Sequence, residues 1–385
     1  MAADRMRKAR LLFYVQHLLG IGHLARASRI ARAVVEDGID VTMVMGGMPI
    51  RGFPDPLVGT VNLPAVAAAS EGFSGLVDAD GHPVDDAFRD RRRDMLLATL
   101  RELRPEIVVI EAFPFGRRQM RFELLPLLDA ISAMDPRPRL VTSVRDILQE
   151  RSKPGRDEET VDLLNRHFDL VMVHGDPTFA RIEDTFPLAD AITARIGYTG
   201  LVAAPPVPPA TEHFDVIVSA GGGAAGADLV RAGVEAARLL PASLRWCLIT
   251  GPNLPQAEFD AAVAAAPPMM SVLRFRPDFP SLLNGARLSV SQAGYNTVCD
   301  VLRAGCRSVL VPFSAGGETE QSVRAERLAR LGLASVIAED GLTGERLAAA
   351  IGASLAAPRP AAATLDLDGA RKSARMLRGL LFKQS

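Results

Sequence analysis

Short apolar runs alternate along the chain with longer segments in which apolar residues recur at helical spacing. Residues 11–15 are continuously apolar, and residues 216–219 include three β-branched residues. Unalternating runs of this kind are typical of strands buried on both faces. Helical spacing is clear at residues 25–36 and 320–331. The alternation predicts an α/β fold with parallel sheets covered by helices. The other predicted strands are residues 41–45, 107–110, 140–144, 170–173, 247–250, 271–275, 288–290 and 308–311.

A proline-rich segment divides this alternation into two halves. Four of the five residues 205–209 are proline, which continues neither a helix nor a central strand and therefore predicts an extended connector. We predict Rossmann-like domains at residues 1–202 and 213–368, joined by a connector at 203–212. A basic helix at 369–385 is expected to pack back on the first domain. Ligands of open α/β sheets bind beyond the carboxyl ends of the strands, so two facing domains would bind them in a cleft.

Composition narrows the class of protein. A length of 385 residues fits two domains, and 44 basic against 45 acidic residues lack the basic surplus of nucleic-acid-binding domains. Cys247, Cys299 and Cys306 form no paired motif, which predicts reduced thiols and a cytoplasmic location. No apolar stretch approaches the roughly 18 residues needed to span a bilayer, so at most peripheral membrane contact is expected.

Two glycine-containing loops of the C-terminal half are candidate phosphate sites. The predicted strand 216–219 runs into Gly221, Gly222 and Gly223, and a helical pattern follows. Such a loop directs backbone N–H groups at an anion, which the helix N-terminus also attracts, although a simple tight turn is the alternative. Strand 288–290 likewise leads into Ser291 and Gly294, which have suitable donors for a pyrophosphate.

Further polar residues follow the same strands. Thr297 is another candidate donor to the pyrophosphate, and Asp300 is a candidate acceptor from ribose hydroxyls, unless it is a solvated helix acid. After strand 308–311, Glu318 and Gln321 are candidates for binding sugar hydroxyls. Their alternative roles are those of a helix-start acid and a surface amide. Loops after strands of one sheet should converge on a single pocket.

The order of these motifs resembles glycosyltransferase family 28, the family of the lipid-II-forming N-acetylglucosaminyltransferase. The similarity covers about residues 214–335 and includes Arg274-Phe275-Arg276 and the Val-Pro-Phe that precedes Gln321. It implies a GT-B fold, with two Rossmann-like domains facing across a cleft and a UDP-sugar donor bound by the second. It also implies a role for each matched position: Ser291 and Gly294 at the diphosphate, Asp300 at the ribose, the backbone of Phe275 and Arg276 at uracil, and Gln321 at the sugar. Glu320 and Arg324 replace a glutamine and an asparagine of the family, so the donor sugar stays open.

The first loop of the chain holds the candidate base. Gly20, Gly22 and Ala25 formally match the dinucleotide fingerprint, but the first glycine lies several residues after the strand, and strand 41–45 is not followed by the ribose-binding acid. The resemblance implies instead an acceptor-side loop in which Gly22 contacts substrate and His23 faces the cleft. A neutral imidazole there accepts the proton of an acceptor hydroxyl. His17 is the alternative base, and a helix cap or core histidine is the structural alternative for His23.

Carboxylates follow two further predicted strands. Glu111 and Asp146 are alternative bases or anchors for the acceptor hydroxyl, unless they pair internally with Arg117 or Arg145. Asp78 and Asp80 spell DxD in what we predict to be a loop with no strand before it, and no cluster of cysteine and histidine is present. We therefore expect neither a metal nor another cofactor. The leaving group would be stabilised by loop N–H groups and helix dipoles.

The leading hypothesis is metal-independent transfer of a sugar from a UDP-sugar to a hydroxyl of a small-molecule, glycan or lipid-linked acceptor. Two alternatives keep the same fold. The Gly-Ile-Gly-His loop also resembles that of the UDP-sugar hydrolase of pseudaminic acid synthesis, which transfers the sugar to water, and a non-catalytic nucleotide-sugar-binding protein would lack both activities. The sequence leaves the sugar, the acceptor and the oligomeric state open.

Overall fold

The computed structural model describes residues 8–18, 20–50, 52–68, 75–150, 153–221, 226–360 and 364–382. The chain divides into two compact units, residues 1–202 with 368–385 and residues 203–367. The proline-rich connector belongs to the second unit and contains neither helix nor strand. None of the helices formed by the described residues is both long enough and apolar enough to cross a bilayer.

The first unit is built on a parallel sheet of seven strands in the order β3-β2-β1-β6-β7-β8-β9. Its order reverses between β1 and β6, so the loops that follow these two strands lie side by side. A separate antiparallel pair, β4 and β5, precedes helix α2. The strands are β1 (Arg10–Val15), β2 (Asp40–Met45), β3 (Gly59–Asn62), β4 (Ala67–Ala68), β5 (Leu76–Val77), β6 (Ile107–Glu111), β7 (Arg139–Arg145), β8 (Leu170–His174) and β9 (Arg195–Tyr198).

Helices cover both faces of this sheet. The central strands are buried throughout: residues 11–15 of β1 and 107–110 of β6 are at most 1% exposed. This burial explains why their sequences are continuously apolar rather than alternating. The first four helices are α1 (Gly22–Glu36), α2 (Asp86–Leu103), α3 (Arg121–Ser132) and α4 (Arg156–His167).

The second unit contains a six-stranded parallel sheet in the order β12-β11-β10-β13-β14-β15. Here the order reverses between β10 and β13. The strands are β10 (Val216–Ser219), β11 (Trp246–Ile249), β12 (Met270–Leu273), β13 (Leu288–Ser291), β14 (Arg307–Leu310) and β15 (Ser335–Val336). The helices are α5 (Ala227–Leu239), α6 (Gln256–Ala265), α7 (Phe279–Gly285), α8 (Tyr295–Ala304), α9 (Glu320–Arg330) and α10 (Gly344–Ala356).

The last helix, α11 (Gly369–Leu381), belongs to the first unit, where it packs against α1. An ion pair of 3.1 Å joins Arg378 of α11 to Asp37 at the end of α1. An isolated β-bridge between Val202 and Asp368 lies where the chain leaves this unit and where it returns. The first unit is therefore completed by the last residues of the chain.

The predicted α/β class with two parallel sheets is confirmed, and each predicted strand has a counterpart. Some details were wrong. Strand β12 ends at Leu273, so Phe275 and Arg276 lie in the following loop and not on a strand. The expectation that no strand precedes Asp78 was also wrong, because β5 ends at Val77. The short pair β4 and β5 and the edge strands β3, β9 and β15 were not predicted. Edge strands such as Gly-Thr-Val-Asn are largely exposed and lack an apolar run.

Candidate functional site

In the first unit, His23 and Glu111 meet at the point where the strand order reverses. His23 lies in the first turn of α1, which contains no acidic residue. Glu111 ends β6, the strand paired with β1 through Tyr14 and Ile110. Nδ1 of His23 is 3.0 Å from Oε1 of Glu111. Parallel pairing thus brings together two residues that are far apart in sequence.

Glu111 is fully buried and is held by three donors. Arg26 forms an ion pair with Oε1, the oxygen that also contacts His23, and Ser143 donates its hydroxyl to Oε2 at 2.5 Å. Burial alone would raise the pKa of Glu111, but the charge of Arg26 and the hydrogen bond from His23 hold that pKa well below its usual range. The carboxylate therefore stays ionised. Its two oxygens already accept from Arg26, His23 and Ser143, so it orients these neighbours.

These contacts assign the tautomer of His23. Nη2 of Arg26, which can only donate, is 3.4 Å from the same Nδ1. A carboxylate only accepts hydrogen bonds, so the shorter contact, with Glu111, assigns the proton to Nδ1 of His23 and leaves the lone pair on Nε2. Burial, together with the charges of Arg117 and Arg26, lowers the pKa of His23 to about 3. Its side chain nevertheless remains 22% exposed. His23 is thus a neutral imidazole at physiological pH, with a nitrogen able to accept a proton.

Arg117 places an additional positive charge beside this loop. Among the described residues its buried Nε has no hydrogen-bond partner, and its charge lowers the pKa of both His17 and His23. Burial lowers its own pKa to about 10. The ion pair that we considered between Glu111 and Arg117 or Arg145 is replaced by one with Arg26. Arg26 follows His23 by three positions on α1, so the two side chains lie on the same face of the helix. Arg26 therefore reaches Glu111 together with His23.

The other two candidate bases are placed differently. Nε2 of His17 is 2.9 Å from the carbonyl oxygen of Met48 and donates to it. This hydrogen bond links the loop after β1 to the loop after β2. Asp146 is 1% exposed and accepts the backbone N–H of Ile147 at 2.9 Å. Neither residue joins the contact between His23 and Glu111. A catalytic role for His17 or Asp146 stays a prediction without geometric support.

In the second unit, the loops after β10 and β13 touch. Gly221 adopts φ +80°, and a side-chain Cβ at this position would lie 2.9 Å from Oε1 of Gln292. Gly222 and Gly223 lie outside the described residues. The strands themselves pair in register from Val216 and Leu288 onward. Two of the three predicted donor loops are therefore neighbours at the carboxyl edge of the sheet.

The loop after β13 leads directly into helix α8. Gly294 is the N-cap residue of α8, and no acidic residue occupies the first turn, which contains Thr297. Ser291 is fully buried, and its hydroxyl has no hydrogen-bond partner among the described residues. A helix N-terminus of this kind attracts an anion through its N–H groups and its dipole.

Hydrogen bonds link side chains at and near the start of helix α9 to the loops after β13 and β14. Oε1 of Gln321 accepts the backbone N–H of Phe313 at 3.2 Å, and Oε1 of Glu318 accepts that of Glu320 at 3.1 Å. Arg324 is 1% exposed, pairs with Glu320 at 2.7 Å and donates to the carbonyl oxygen of Ala293 at 3.0 Å. The predicted sugar contacts of Glu318 and Gln321 stay predictions.

The resemblance implies uridine contacts for Asp300, Phe275 and Arg276, which lie in helix α8 and in the loop after β12. Oδ1 of Asp300 accepts the N–H of Ala204 in the connector at 3.2 Å, and the side chain is only 6% exposed. Phe275 is 53% exposed. Arg276 pairs with Glu212 at 2.7 Å and with Asp278 at 2.8 Å. Asp300 thus has a structural partner in the connector, and a contact with ribose stays a prediction.

Comparison with known proteins relates the second unit to a family of glycosyltransferases. Residues 216–374 match the model of the glycosyltransferase family 28 C-terminal domain. The predicted resemblance to family 28 is confirmed. Over 109 residues the chain is 34% identical to the UDP-N-acetylglucosamine--N-acetylmuramyl-(pentapeptide) pyrophosphoryl-undecaprenol N-acetylglucosamine transferase of Desulfitobacterium hafniense (strain Y51). The alignment covers 28% of this chain and 27% of that relative, so the chain spans about a quarter of the relative's length.

Solved structures show the fold over the whole chain. The calicheamicin glycosyltransferase superimposes with a TM-score of 0.60 at 19% identity, covering 97% of this chain and 95% of that one. MurG of Acinetobacter baumannii superimposes with a TM-score of 0.57 at 16% identity, covering 97% and 98%. The predicted GT-B fold is confirmed.

Against the family 28 pattern, Glu320 and Arg324 stand out. The resemblance implies a glutamine and an asparagine at these positions. Here both side chains are buried and paired with each other, and Arg324 donates to the loop after β13. A buried pair of opposite charges leaves neither charge uncompensated. We therefore interpret Glu320 and Arg324 as supports of the Ser291–Gly294 loop of this family 28-like unit.

A cavity of about 620 Å³ opens at the same edge of the second unit. The loops after β10, β14 and β15 line it, and the lining includes the acids Asp228, Glu258, Glu339 and Asp340. Arg231, also in the lining, pairs with Asp228 and with Glu258. Phe313 of the Val-Pro-Phe motif is in the lining, whereas none of the described candidate binding residues of this unit is.

One group of described residues has the spacing of metal ligands. Asp78, Asp80 and His82 bring one ligand atom each within 4.8 Å of one another. Oδ1 of Asp78 already accepts the backbone N–H groups of Asp80 and His82, both at 2.9 Å. Asp80 and His82 are exposed. The group is a hydrogen-bonded surface turn of the first unit, and it contains none of the residues that surround His23.

Arg26 and Ser143, the partners of Glu111, and His174, which contacts Ser143, were not predicted from the sequence. Arg26 is 2% exposed, and Ser143 and His174 are fully buried on neighbouring strands. The signal of Ser143 and His174 in the sequence is a polar residue inside an otherwise apolar strand, as in Leu-Val-Thr-Ser-Val and Leu-Val-Met-Val-His. Buried polar residues of this kind require partners.

The neutral buried histidines predict that the protein becomes less stable in mild acid. The pKa of both His23 and His174 is lowered to about 3, chiefly by burial, whereas an unfolded histidine has a pKa of about 6.5. Between these values the unfolded state binds more protons, so the free energy of unfolding should fall as pH drops from 6.5. Urea unfolding at several pH values measures this slope. In His174→Gln the number of protons taken up on unfolding, which sets the slope of the free energy of unfolding against pH, should decrease by up to about one. An unchanged slope would contradict a neutral, buried His174.

Proposed function

We propose that the chain is a metal-independent glycosyltransferase that moves a sugar from a UDP-sugar to an acceptor hydroxyl. The observation that carries the proposal is the 3.0 Å contact between Nδ1 of His23 and Oε1 of Glu111. It orients a neutral imidazole with Nε2 ready to accept a proton. The family 28 match of the second unit supports the donor half of the proposal.

In the proposed reaction, the acceptor oxygen attacks the anomeric carbon while the bond from that carbon to the phosphate oxygen breaks. Nε2 of His23 takes the acceptor proton, and UDP leaves with the additional negative charge. The N–H groups at the start of α8 and in the loop that begins at Gly221 would stabilise this charge. Glu111 stabilises the imidazolium that forms.

The donor class follows from the resemblance. The Desulfitobacterium relative has UDP-N-acetylglucosamine in its name, and Ser291 and Gly294 resemble the diphosphate loop of the family. The acceptor is the less defined partner, since a small molecule, a glycan or a lipid-linked sugar all supply a hydroxyl. A cytoplasmic location, with peripheral membrane contact for a lipid-linked acceptor, belongs to the same proposal.

Binding and turnover test the proposal separately. Calorimetry with UDP, GDP and ADP should detect binding of UDP, and a failure to bind any nucleoside diphosphate would refute the donor assignment. Incubation with a set of UDP-sugars, with and without acceptors, should release UDP only when an acceptor is present. Rapid release of free sugar without acceptor would indicate a hydrolase instead.

Transferase activity should persist in EDTA, because the proposed reaction uses no metal. Loss of activity in EDTA and its restoration by a divalent cation would contradict metal independence.

Substitution of Gly221 tests the donor loop. We expect Gly221→Ala to weaken UDP binding by roughly 10-fold, because an L-residue in the left-handed region costs about 1–2 kcal/mol and its Cβ would lie 2.9 Å from Gln292 Oε1. Calorimetric titration with UDP measures the effect. Gly305→Ala is the matched control, since Gly305 is also left-handed, at φ +60°, but has no neighbour within 4 Å of a Cβ. Equal weakening in both variants would show a general loss of stability.

A further inference from the structure

A line of hydrogen bonds continues from Glu111 across the sheet of the first unit. Ser143 Oγ is 2.5 Å from Glu111 Oε2, and 2.8 Å from Nε2 of His174. Nδ1 of His174 is 3.0 Å from Oγ1 of Thr199. All four residues are fully buried. With His23 at its exposed end, the line joins five side chains.

Strand register brings these residues together. Glu111 of β6 pairs with Ser143 of β7, and His174 ends the next strand, β8. Thr199 follows β9, the last strand of this sheet. Each polar side chain thus lies at the carboxyl end of its strand, one strand further from His23. The line is a product of the parallel sheet and not of any local motif.

The direction of the bonds from His174 to Glu111 can be assigned. Ser143 has one hydroxyl proton, and the carboxylate of Glu111 can only accept it. Nε2 of His174 must then donate to the oxygen of Ser143. Burial lowers the pKa of His174 to about 3, so this ring is neutral and its Nδ1 is an acceptor. The Thr199 hydroxyl near Nδ1 also donates to the carbonyl oxygens of Gly200 at 2.9 Å and Val173 at 3.3 Å. The donors of His174 and Ser143 thus both point toward Glu111, an arrangement in which successive bonds strengthen one another.

We propose that Ser143 and His174 are positioning residues that hold the carboxylate of Glu111 so that Oε1 stays available to Nδ1–H of His23. This inference rests on the proposed role of His23 as the base. It adds two fully buried residues that decide which nitrogen of His23 is free to accept a proton.

The need for such positioning arises from Arg26. Arg26 and His23 share a single oxygen of Glu111, and the terminal torsion of a glutamate is soft. An arginine binds a carboxylate best through both oxygens. Without the hydroxyl of Ser143 on Oε2, the carboxylate is free to turn toward Arg26 and to lose His23. The imidazole would then lack the acceptor that keeps its proton on Nδ1.

Histidine side-chain NMR tests this directly in the unliganded protein. In the unaltered chain, nitrogen-15 spectra should show His23 with its proton on Nδ1 and His174 with its proton on Nε2. In Ser143→Ala the His23 proton should shift in part to Nε2. A His23 that carries its proton on Nε2 in the unaltered protein, or that keeps the Nδ1–H form in Ser143→Ala, would overturn the proposal. Neither measurement requires turnover, so both remain decisive if the proposed function is wrong.

Kinetics provide the second readout. Ser143→Ala should lower kcat by roughly 10-fold, the loss typical of one hydrogen bond to a charged group, and leave UDP affinity unchanged. Ser143→Thr should restore most of the rate because it restores the hydroxyl. The matched control is Thr142→Val, which removes a buried hydroxyl from the same strand, one without a hydrogen-bond partner among the described residues. An equal loss of rate in Thr142→Val would overturn the proposal, since it would reflect packing alone.

Discussion

Replacement of His23 by alanine is expected to lower kcat by about 10²–10⁴, the usual contribution of a general base. The reason is that Nε2 of His23 is the nitrogen left free when Nδ1 donates to Glu111. UDP affinity should change little, because the donor loops belong to the second unit. Steady-state rates with a UDP-sugar and its acceptor, together with calorimetry for UDP, measure the two quantities.

Two other histidines serve as comparisons for His23→Ala. His82 lies in an exposed turn of the same unit, with a side chain that is 76% exposed, and His82→Ala should leave the rate unchanged. His17 occupies the same loop as His23 but donates to the carbonyl oxygen of Met48. An unimpaired His23→Ala variant, together with a large loss in His17→Ala, would transfer the role of base to His17.

Replacement of Arg92 by methionine is expected to lower the free energy of unfolding by about 3–5 kcal/mol, the usual effect of removing one partner of a buried ion pair. Arg92 and Glu123 are fully buried and 2.8 Å apart, and the hydroxyl of Tyr14 donates to the same carboxylate at 2.5 Å. Methionine conserves most of the volume but leaves the charge of Glu123 without its cation. Urea unfolding followed by circular dichroism measures the loss.

The same helix provides a control for Arg92→Met. Arg89 of α2 pairs with Asp86 at 2.9 Å on the surface, where its side chain is 42% exposed. Arg89→Met should cost less than about 1 kcal/mol, because exposed pairs contribute little. The double variant Arg92→Met/Glu123→Leu should recover part of the lost stability, since it removes the uncompensated charge. Equal losses in Arg92→Met and Arg89→Met would show that burial of the pair does not set its contribution.

The residues of the candidate site were separately visible in the sequence. His23 follows a glycine loop, and Glu111 follows an apolar run, so each suggested chemistry by itself. Their contact was not visible, because it depends on β1 and β6 being neighbours in the sheet. The same holds for Gly221 and Gln292, which meet because β10 pairs with β13. Local sequence indicates the ends of strands, whereas the order of strands is a property of the whole sheet.

By itself the sequence determined the α/β class, the division at the proline connector and the strands buried on both faces, since continuous apolar runs and prolines act locally. It also indicated the family 28-like second unit. The tertiary structure alone decided which charges are paired between distant elements: Arg26 with Glu111, and Arg92 with Glu123. A buried charge requires a partner. Which residue becomes that partner depends on strand order and register, and no short segment of the sequence determines either of them.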